Sequence, residues 1–524
     1  MCLNLSFKAG LLAFMLLSLS ACNSGGSDEV VDLGLDSGRS EEGGIDWETI
    51  DTWKADVFYS SGYYSGYCSA DNWGAFYEKM WLRAWSDETY LWYDEIHDEN
   101  PKYYSLVDYF THLKTDAVTA TGNDKDQYHF SMDSYEYFIL SNYGEDVGYG
   151  LNVLIQNESS TTDRATTVSY VEPNSPASLL GIQRGASIVT IDGVSMQYAS
   201  TTAELEALRN GMFPSTSGKS TEFEILDQGS SQTRTVTLTS QYVEINPVLN
   251  TKVVDNGGTK VGYLQFNSHM ASAESLLIDS IEELKAQQVT ELVLNVRYNG
   301  GGLLSIASQL SYMLAGTKTV GKVFEQLTFN DKYPTINPIT GDALEPISFI
   351  NTAEGVQLPT LNLDRVYVLT TQDTCSASES IINGLRGIDV EVIQIGAATC
   401  GKPYGFYPTN NCDITYFTVQ FKGANHKGFG DYADGFSPSQ TPTLDSDVLG
   451  CPVMDDLTKM LGNTSESMFA TALHHQKYGA CPVTINAFGQ SSNSVSIKRN
   501  EGYGSNFNDL RPAALVRGNK IINP

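Results

Sequence analysis

Three short stretches carry residue types from which a hydrolytic site could be assembled: Tyr298-Asn299-Gly300-Gly301-Gly302, Cys375-Ser376-Ala377-Ser378-Glu379 and Cys400-Gly401-Lys402. Ser376 and Glu379 fit S-x-x-E, the capping box that opens a helix, and on that reading the serine is structural. A serine at a strand-to-helix turn also projects its hydroxyl beside free N–H groups, which is what a nucleophile requires. It then needs a base. No G-x-S-x-G elbow surrounds Ser376, and none of the 7 histidines sits in a recognisable catalytic frame. A lysine can serve if burial favours its neutral amine. Lys402 is available for that role, although by itself it also reads as a lysine of a surface loop. Cys375 as nucleophile is disfavoured, because no histidine partner accompanies it.

The segments around these residues alternate between strand and helix patterns. Val261 to Phe266 (VGYLQF) reads as a strand, and Ser275 to Gln288 as a helix with Leu277, Ile281 and Leu284 on one face. Glu291 to Arg297 is a second strand that ends in the glycine-rich turn, and Leu303 to Gly316 is the next helix. Arg365 to Thr371 leads into Ser376, a short helix follows, and Val390 to Gly396 leads toward Lys402. Such alternation points to an α/β core.

The order N-G-G-G after one strand, S-x-S-E after a second, and T-x-G-K about 26 residues after the serine resembles the carboxyl-terminal processing, or tail-specific, serine proteases. The resemblance spans roughly residues 70 to 475. It implies a crotonase-like core in which Ser376 is the nucleophile, Lys402 the general base, and backbone N–H groups of Gly301 and Ala377 the oxyanion donors, with Gly300 or Gly302 as alternatives to Gly301. Two departures stand out. Phe406 occupies the position where many members carry a glutamine that orients the lysine. The serine-to-lysine spacing is one residue longer than usual, which a loop at Gly387-Ile388 would absorb.

Between Gly144 and Val243 the texture is β-rich. Gly148-Tyr149-Gly150-Leu151 precedes the strand-like NVLIQ, and Ser175-Pro176-Ala177 precedes LLGI, Gly185 and the run IVTIDG. Together these resemble a PDZ domain, in which a glycine-rich loop offers N–H groups to a terminal carboxylate and a strand edge accepts the peptide. Gly148, Tyr149, Gly150 and Leu151 are the peptide-binding candidates. Ala186 stands where these domains usually carry Asp.

At the N-terminus, Lys8 and the apolar run Ala9 to Leu19 read as a signal peptide over residues 1–21. Leu19-Ser20-Ala21-Cys22 resembles a bacterial lipobox, which makes Cys22 the lipidation candidate. A Gly-, Ser- and acid-rich stretch over 22–46 suits a tether. Residues 47–143 then read as a small helical domain, with Tyr77, Met80, Trp81, Ala84 and Trp85 on one face. The resulting layout is a multidomain chain: helical region, PDZ-like region (144–243), Ser–Lys protease core (244–480) and a C-terminal extension (481–524).

The chain contains 32 basic and 62 acidic residues, a net charge of −30 that argues against nucleic acid as a partner. Beyond the signal and Cys22, Cys68, Cys375, Cys400, Cys412, Cys451 and Cys481 form an even set, which in an exported chain favours disulfides. Cys375–Cys400 would pin the two catalytic segments together. Cys400–Cys412, across a hairpin at YGFYPTNNC, competes with it, and Cys451–Cys481 would tie back the extension. With no C-x-x-C and no clustered histidines, no metal site is expected, and the chemistry calls for no cofactor. The expected partners are polypeptides with accessible C-termini and a membrane reached through an N-terminal lipid, in the cell envelope. The alternative is a non-catalytic peptide- or ligand-binding lipoprotein on the same scaffold.

Overall fold

The computed structural model describes residues 53–68, 72–119, 121–157, 164–483 and 519–521. The signal, the tether and Cys22 lie outside the described residues.

Seven strands form the central sheet, in the order Val248–Asp255, Lys260–Phe266, Glu291–Asn295, Arg365–Thr370, Glu391–Gly396, Asp447–Pro452, Ser437–Ser439. The first pair is antiparallel and all the others are parallel. A parallel strand covered on both faces should read as a largely apolar run, and Lys260–Phe266, Glu291–Asn295, Arg365–Thr370 and Glu391–Gly396, in the middle of the sheet, do. Leu264, Leu292, Leu294, Val366 and Val368 face one layer, where they meet Leu277, Ile281 and Leu284 of helix Ala273–Ala286, Leu310 and Leu314 of helix Leu304–Ala315, and Ile381, Ile382 and Leu385 of helix Ala377–Gly387. Tyr263, Val293, Tyr367, Leu369, Ile393 and Ile395 face the other, against Met468, Phe469 and Ala472 of helix Ser467–Tyr478.

A second, antiparallel sheet runs Leu151–Asn157, Arg164–Val171, Ser187–Ile191, Ser220–Leu226, Thr233–Thr239. Its core gathers Val153, Val168, Ile188, Ile191, Phe223 and Leu238 with Leu208 and Met212 of helix Thr202–Met212. That helix opens on a complete capping box between Thr201 and Glu204. Ala186 is buried in this core.

The long amphipathic helix near the N-terminus spans Asn72–Thr89. Its Trp81 and Trp85 stack on each other at 5.1 Å and both meet Tyr416, whose hydroxyl donates to Glu78 at 2.6 Å. Strand Phe130–Asp133 pairs antiparallel with Ile414–Phe417. The helical segment thus shares its apolar contacts with strands that follow Lys402 in sequence.

Three disulfides join Cys68 to Cys412, Cys375 to Cys400 and Cys451 to Cys481. The Cys400–Cys412 alternative is not formed. Cys412 sits with Asp413 in a positive-φ turn between Thr409–Asn411 and Ile414–Phe417, so the hairpin lies later than YGFYPTNNC and turns Cys412 toward Cys68. Tyr404–Gly405 pairs instead with Phe421–Ala424.

Candidate active site

Strand Arg365–Thr370 delivers the chain to a turn at Thr371–Cys375, and the next helix begins at Ala377. Ser376 is its N-cap, with φ 60° and ψ −113°, a conformation that costs a non-glycine residue about 1–3 kcal/mol. Its side chain is buried, and Oγ has no hydrogen-bond partner among the described residues. Ala377 is the first helical residue, so its N–H lacks an intrahelical acceptor.

Glu379 does more than complete a cap. It is fully buried, and its carboxylate accepts the N–H of Ser376 at 2.8 Å, the Thr399 hydroxyl at 2.6 Å, the N–H of Gly401 at 2.9 Å and the N–H of Lys402 at 2.8 Å. One side chain therefore fixes the backbone of the serine turn and that of the lysine segment. Burial pushes the Glu379 carboxyl up, against these four donors. The Cys375–Cys400 bond links the same two segments covalently. Cys375, Glu379 and Cys400 cluster closely, but both sulfurs are committed to that bond and cannot bind metal.

Gly401 has φ +87°, and a Cβ there would lie 2.3 Å from the Ala433 carbonyl oxygen, so the G of the G-K pair is sterically required. Lys402 is fully buried. Its Nζ lies 4.1 Å from the Phe406 ring centroid and 4.6 Å from that of Tyr128, whose hydroxyl donates to the Gly401 carbonyl at 3.0 Å. Phe406, at the position of the usual glutamine, stacks edge-on with Phe130 and Phe417 and walls the lysine with hydrocarbon.

Asn299 organises the glycine-rich turn. Its Oδ1 accepts the N–H of Gly301 at 3.0 Å and faces His269 Nδ1 at 3.0 Å, and its Nδ2 donates to the Phe266 carbonyl at 3.0 Å. Its own carbonyl accepts the Cys375 N–H at 3.1 Å and the Ser378 hydroxyl at 3.0 Å, which joins this turn to the serine turn. The Gly301 N–H named by the family resemblance is thus engaged by Asn299 in this conformation. Burial pushes His269 down to about 3, against its bond to Asn299, so the ring is neutral and donates from Nδ1. Its Nε2 has no partner among the described residues.

A cleft of about 700 Å³ extends from Gly148–Leu151 to Gly300–Gly302 and the Cys375–Cys400 bond. Gly150 has φ +75°, and a Cβ on it would fall 2.2 Å from Ser175 Cβ, so the two glycine- and serine-bearing fragments of the β-rich region meet in space. The Tyr149 ring packs on Phe223, with its hydroxyl on Thr221 Oγ1 at 2.8 Å. Leu151 begins a strand at the end of its sheet. Glu172 also lines this cleft, and burial pushes its carboxyl up to about 7 against hydrogen bonds from Asn246 and Asn152. Ser376 and Lys402 do not line it.

Behind the glycine turn lies an ionic cluster. Arg297 bonds Asp455 at 2.6 Å and Glu466 at 3.0 Å, and Arg184, from the β-rich region, bonds the same Asp455 at 2.6 Å and Tyr298 Oη at 2.5 Å. Burial pushes Asp455 up, but the Arg297 and Arg184 guanidiniums outweigh it and hold the carboxyl low. The sequence motifs single out Ser376 and Lys402 but not Asn299, His269, Asp455 or the reach of Glu379. Asn299 and Glu379 stood inside the quoted motifs. His269 and Asp455 carried no local signal.

Residues 260–410, which include both Ser376 and Lys402, match the model of Peptidase family S41. The carboxyl-terminal-processing protease of the cyanobacterium Picosynechococcus is 24% identical over 270 residues, covering 52% of this chain and 58% of its own. The chloroplastic carboxyl-terminal-processing peptidase 3 of Arabidopsis thaliana is 25% identical over 296 residues, covering 55% and 52%. The chain thus spans about half the length of the curated relatives it matches. A solved Bacteroides fragilis structure assigned to the S41 proteases shares the fold, with a TM-score of 0.55 and 23% identity over 76% of this chain and 97% of that one. Scaffold and matched segment are those of the S41 peptidases. Along that segment the chain is similar to the carboxyl-terminal processing proteases.

Proposed function

We propose that this chain is a serine endopeptidase acting on unfolded or C-terminal-tail-presenting polypeptides through Ser376 and Lys402. The observation that carries the reading is the pairing of a buried, unpartnered Ser376 hydroxyl in a strained turn with a buried lysine whose backbone hangs on the same carboxylate. Lys402 Nζ, as the neutral amine, takes the proton from Ser376 Oγ as that oxygen attacks the scissile carbonyl. The Ala377 N–H and one N–H of the Gly300–Gly302 turn receive the developing oxyanion. Collapse of the tetrahedral adduct breaks the C–N bond, and the protonated lysine returns its proton to the leaving amine. Water then attacks the acyl-serine by the same route in reverse.

The β-rich region is proposed to capture substrate as a PDZ-like module, with Gly148–Leu151 receiving a terminal carboxylate and the edge strand Leu151–Asn157 receiving the peptide backbone. The cleft that continues to the glycine-rich turn supports a path from capture to cleavage. An oxidising, lipid-anchored envelope location is part of the same proposal. It is supported by the lipobox-like sequence at Cys22 and by three disulfides in the folded body.

Hydrolysis of an unfolded protein by the purified chain tests the reading against Ser376→Ala and Lys402→Ala. Both variants are expected to keep the fold and to lose roughly 10³-fold or more in kcat. Turnover persisting in either variant would refute the dyad. A folded wild-type chain that binds peptides without cutting them would favour the binding-protein alternative.

A further inference from the structure

Strand Asn519–Ile521 does not extend either large sheet. It pairs in parallel with the glycine-rich turn itself, Gly301 opposite Asn519, Gly302 opposite Lys520 and Leu303 opposite Ile521. The other edge of Gly301–Leu303 is already taken: the His269 N–H donates to the Gly301 carbonyl at 3.1 Å, and the Leu303 N–H donates to the His269 carbonyl at 2.8 Å. One backbone edge therefore remained open beside the turn, and this segment fills it.

The same three residues also lie against strand Tyr404–Gly405, directly after Lys402, and against helix Ala377–Gly387, directly after Ser376. They touch all three elements that carry the site. Ser376 and Lys402 are both fully buried, and the 700 Å³ cleft reaches the flanking disulfide without reaching either of them.

We propose that Asn519–Ile521 occupies in cis the strand position through which an extended substrate is presented to Ser376, so that this strand is a tethered competitor of substrate. The inference rests on the peptidase reading for the word substrate, but the strand site itself does not depend on catalysis. The register specifies the ligand: a polypeptide backbone, extended, running parallel to Gly301–Leu303. Its attachment is strong and its contact weak. The Cys451–Cys481 bond anchors the root of the segment to strand Asp447–Pro452. The contact is a two-stranded ribbon of three residues a side, which is marginal alone in water. Tethering supplies an effective concentration on the order of millimolar, so a site with an intrinsic affinity of about 100 μM would be masked about tenfold.

The test uses the full chain. A fluorescein-labelled peptide with the sequence of residues 515–524 is titrated by anisotropy into the Ser376→Ala chain, with and without the pair Lys520→Pro and Ile521→Pro. Consecutive prolines remove the N–H of whichever residue faces the turn, and so release the strand whatever its pleat. The peptide is expected to bind the proline chain about tenfold or more tightly than its parent. With Ser376 restored, kcat/KM for an unfolded protein is expected to rise by a similar factor, mainly through KM. Equal affinity in the two chains, or no binding to either, overturns the proposal. A tenfold binding difference with no hydrolysis in any chain supports the strand site and sinks the peptidase reading. Hydrolysis that is unchanged by the prolines, with equal binding, does the reverse.

Discussion

The carboxylate of Glu379 accepts the backbone N–H of Lys402 at 2.8 Å, and the same oxygen accepts the N–H of Ser376 at 2.8 Å. The geometry between the serine turn and the lysine segment, the proposed nucleophile and base, is thereby set by a third, buried side chain. In Glu379→Gln one oxygen becomes an NH₂ group that faces donors, leaving at least one of the Ser376, Gly401 and Lys402 N–H groups unpaired at a cost of about 1–3 kcal/mol. The variant is expected to fold, to melt several degrees lower, and to lose more in kcat than in KM. Steady-state kinetics with a melting curve checks this, and an unchanged kcat would demote Glu379 to a simple helix cap.

The Cys375–Cys400 bond closes a loop with a sequence separation of 25. Loop-closure entropy assigns it about 3 kcal/mol. Replacing both cysteines by alanine is expected to lower the denaturation midpoint accordingly, and to reduce turnover even under conditions where the fold is fully populated. Urea titration followed by kinetics at low denaturant separates the two effects.

Glu172 gives a pH dependence with a defined sign. Its folded value of about 7 lies above the ordinary 4.5, so the folded state holds a proton that the unfolded state has released between those pH values. The stabilisation is present below about pH 4.5 and is lost as pH rises through 7, by about 3 kcal/mol in total. Glu172→Gln is expected to flatten this component. Comparing urea midpoints at pH 5 and pH 8 for the two chains measures it, and parallel curves would contradict the assignment.

Arg184 connects the β-rich region to Asp455 and Tyr298 behind the glycine turn. Arg184→Ala leaves Asp455 to Arg297 and the Tyr298 hydroxyl, and breaking a buried pair of this kind costs about 3–5 kcal/mol. Arg184→Lys keeps the charge without the fork and should fall between. Thermal melts of the three chains provide the order.

Much of the α/β core was legible in the sequence because its signals are local. Val261 to Phe266, Glu291 to Arg297 and Arg365 to Thr371 are apolar on both faces, and Leu277, Ile281 and Leu284 keep helical spacing; each pattern is imposed by its own layer. Ser376 and Lys402 stood out for a different reason, since the turns that follow two strands carry them at a spacing that resembles a known family. What the sequence hid depends on contacts between distant segments. Phe406 looked like a missing residue and is a wall of the lysine chamber, because Phe130 and Phe417 arrive from elsewhere to pack on it. Cys68 and Cys412 are separated by 344 positions, and no local pattern marks them as partners.

That last pairing encloses another: Cys375–Cys400 lies wholly within the span closed by Cys68–Cys412. During synthesis the first of these thiols emerges long before its mate. An oxidant joining cysteines in order of appearance would link Cys68 to Cys375, deprive Cys400 of its partner and hold the serine turn away from the lysine segment. Assembly of this protein therefore needs either a delay in oxidation or a catalyst of disulfide exchange. The yield of correctly bridged molecules becomes a readout of the oxidative folding conditions in the cell that makes it.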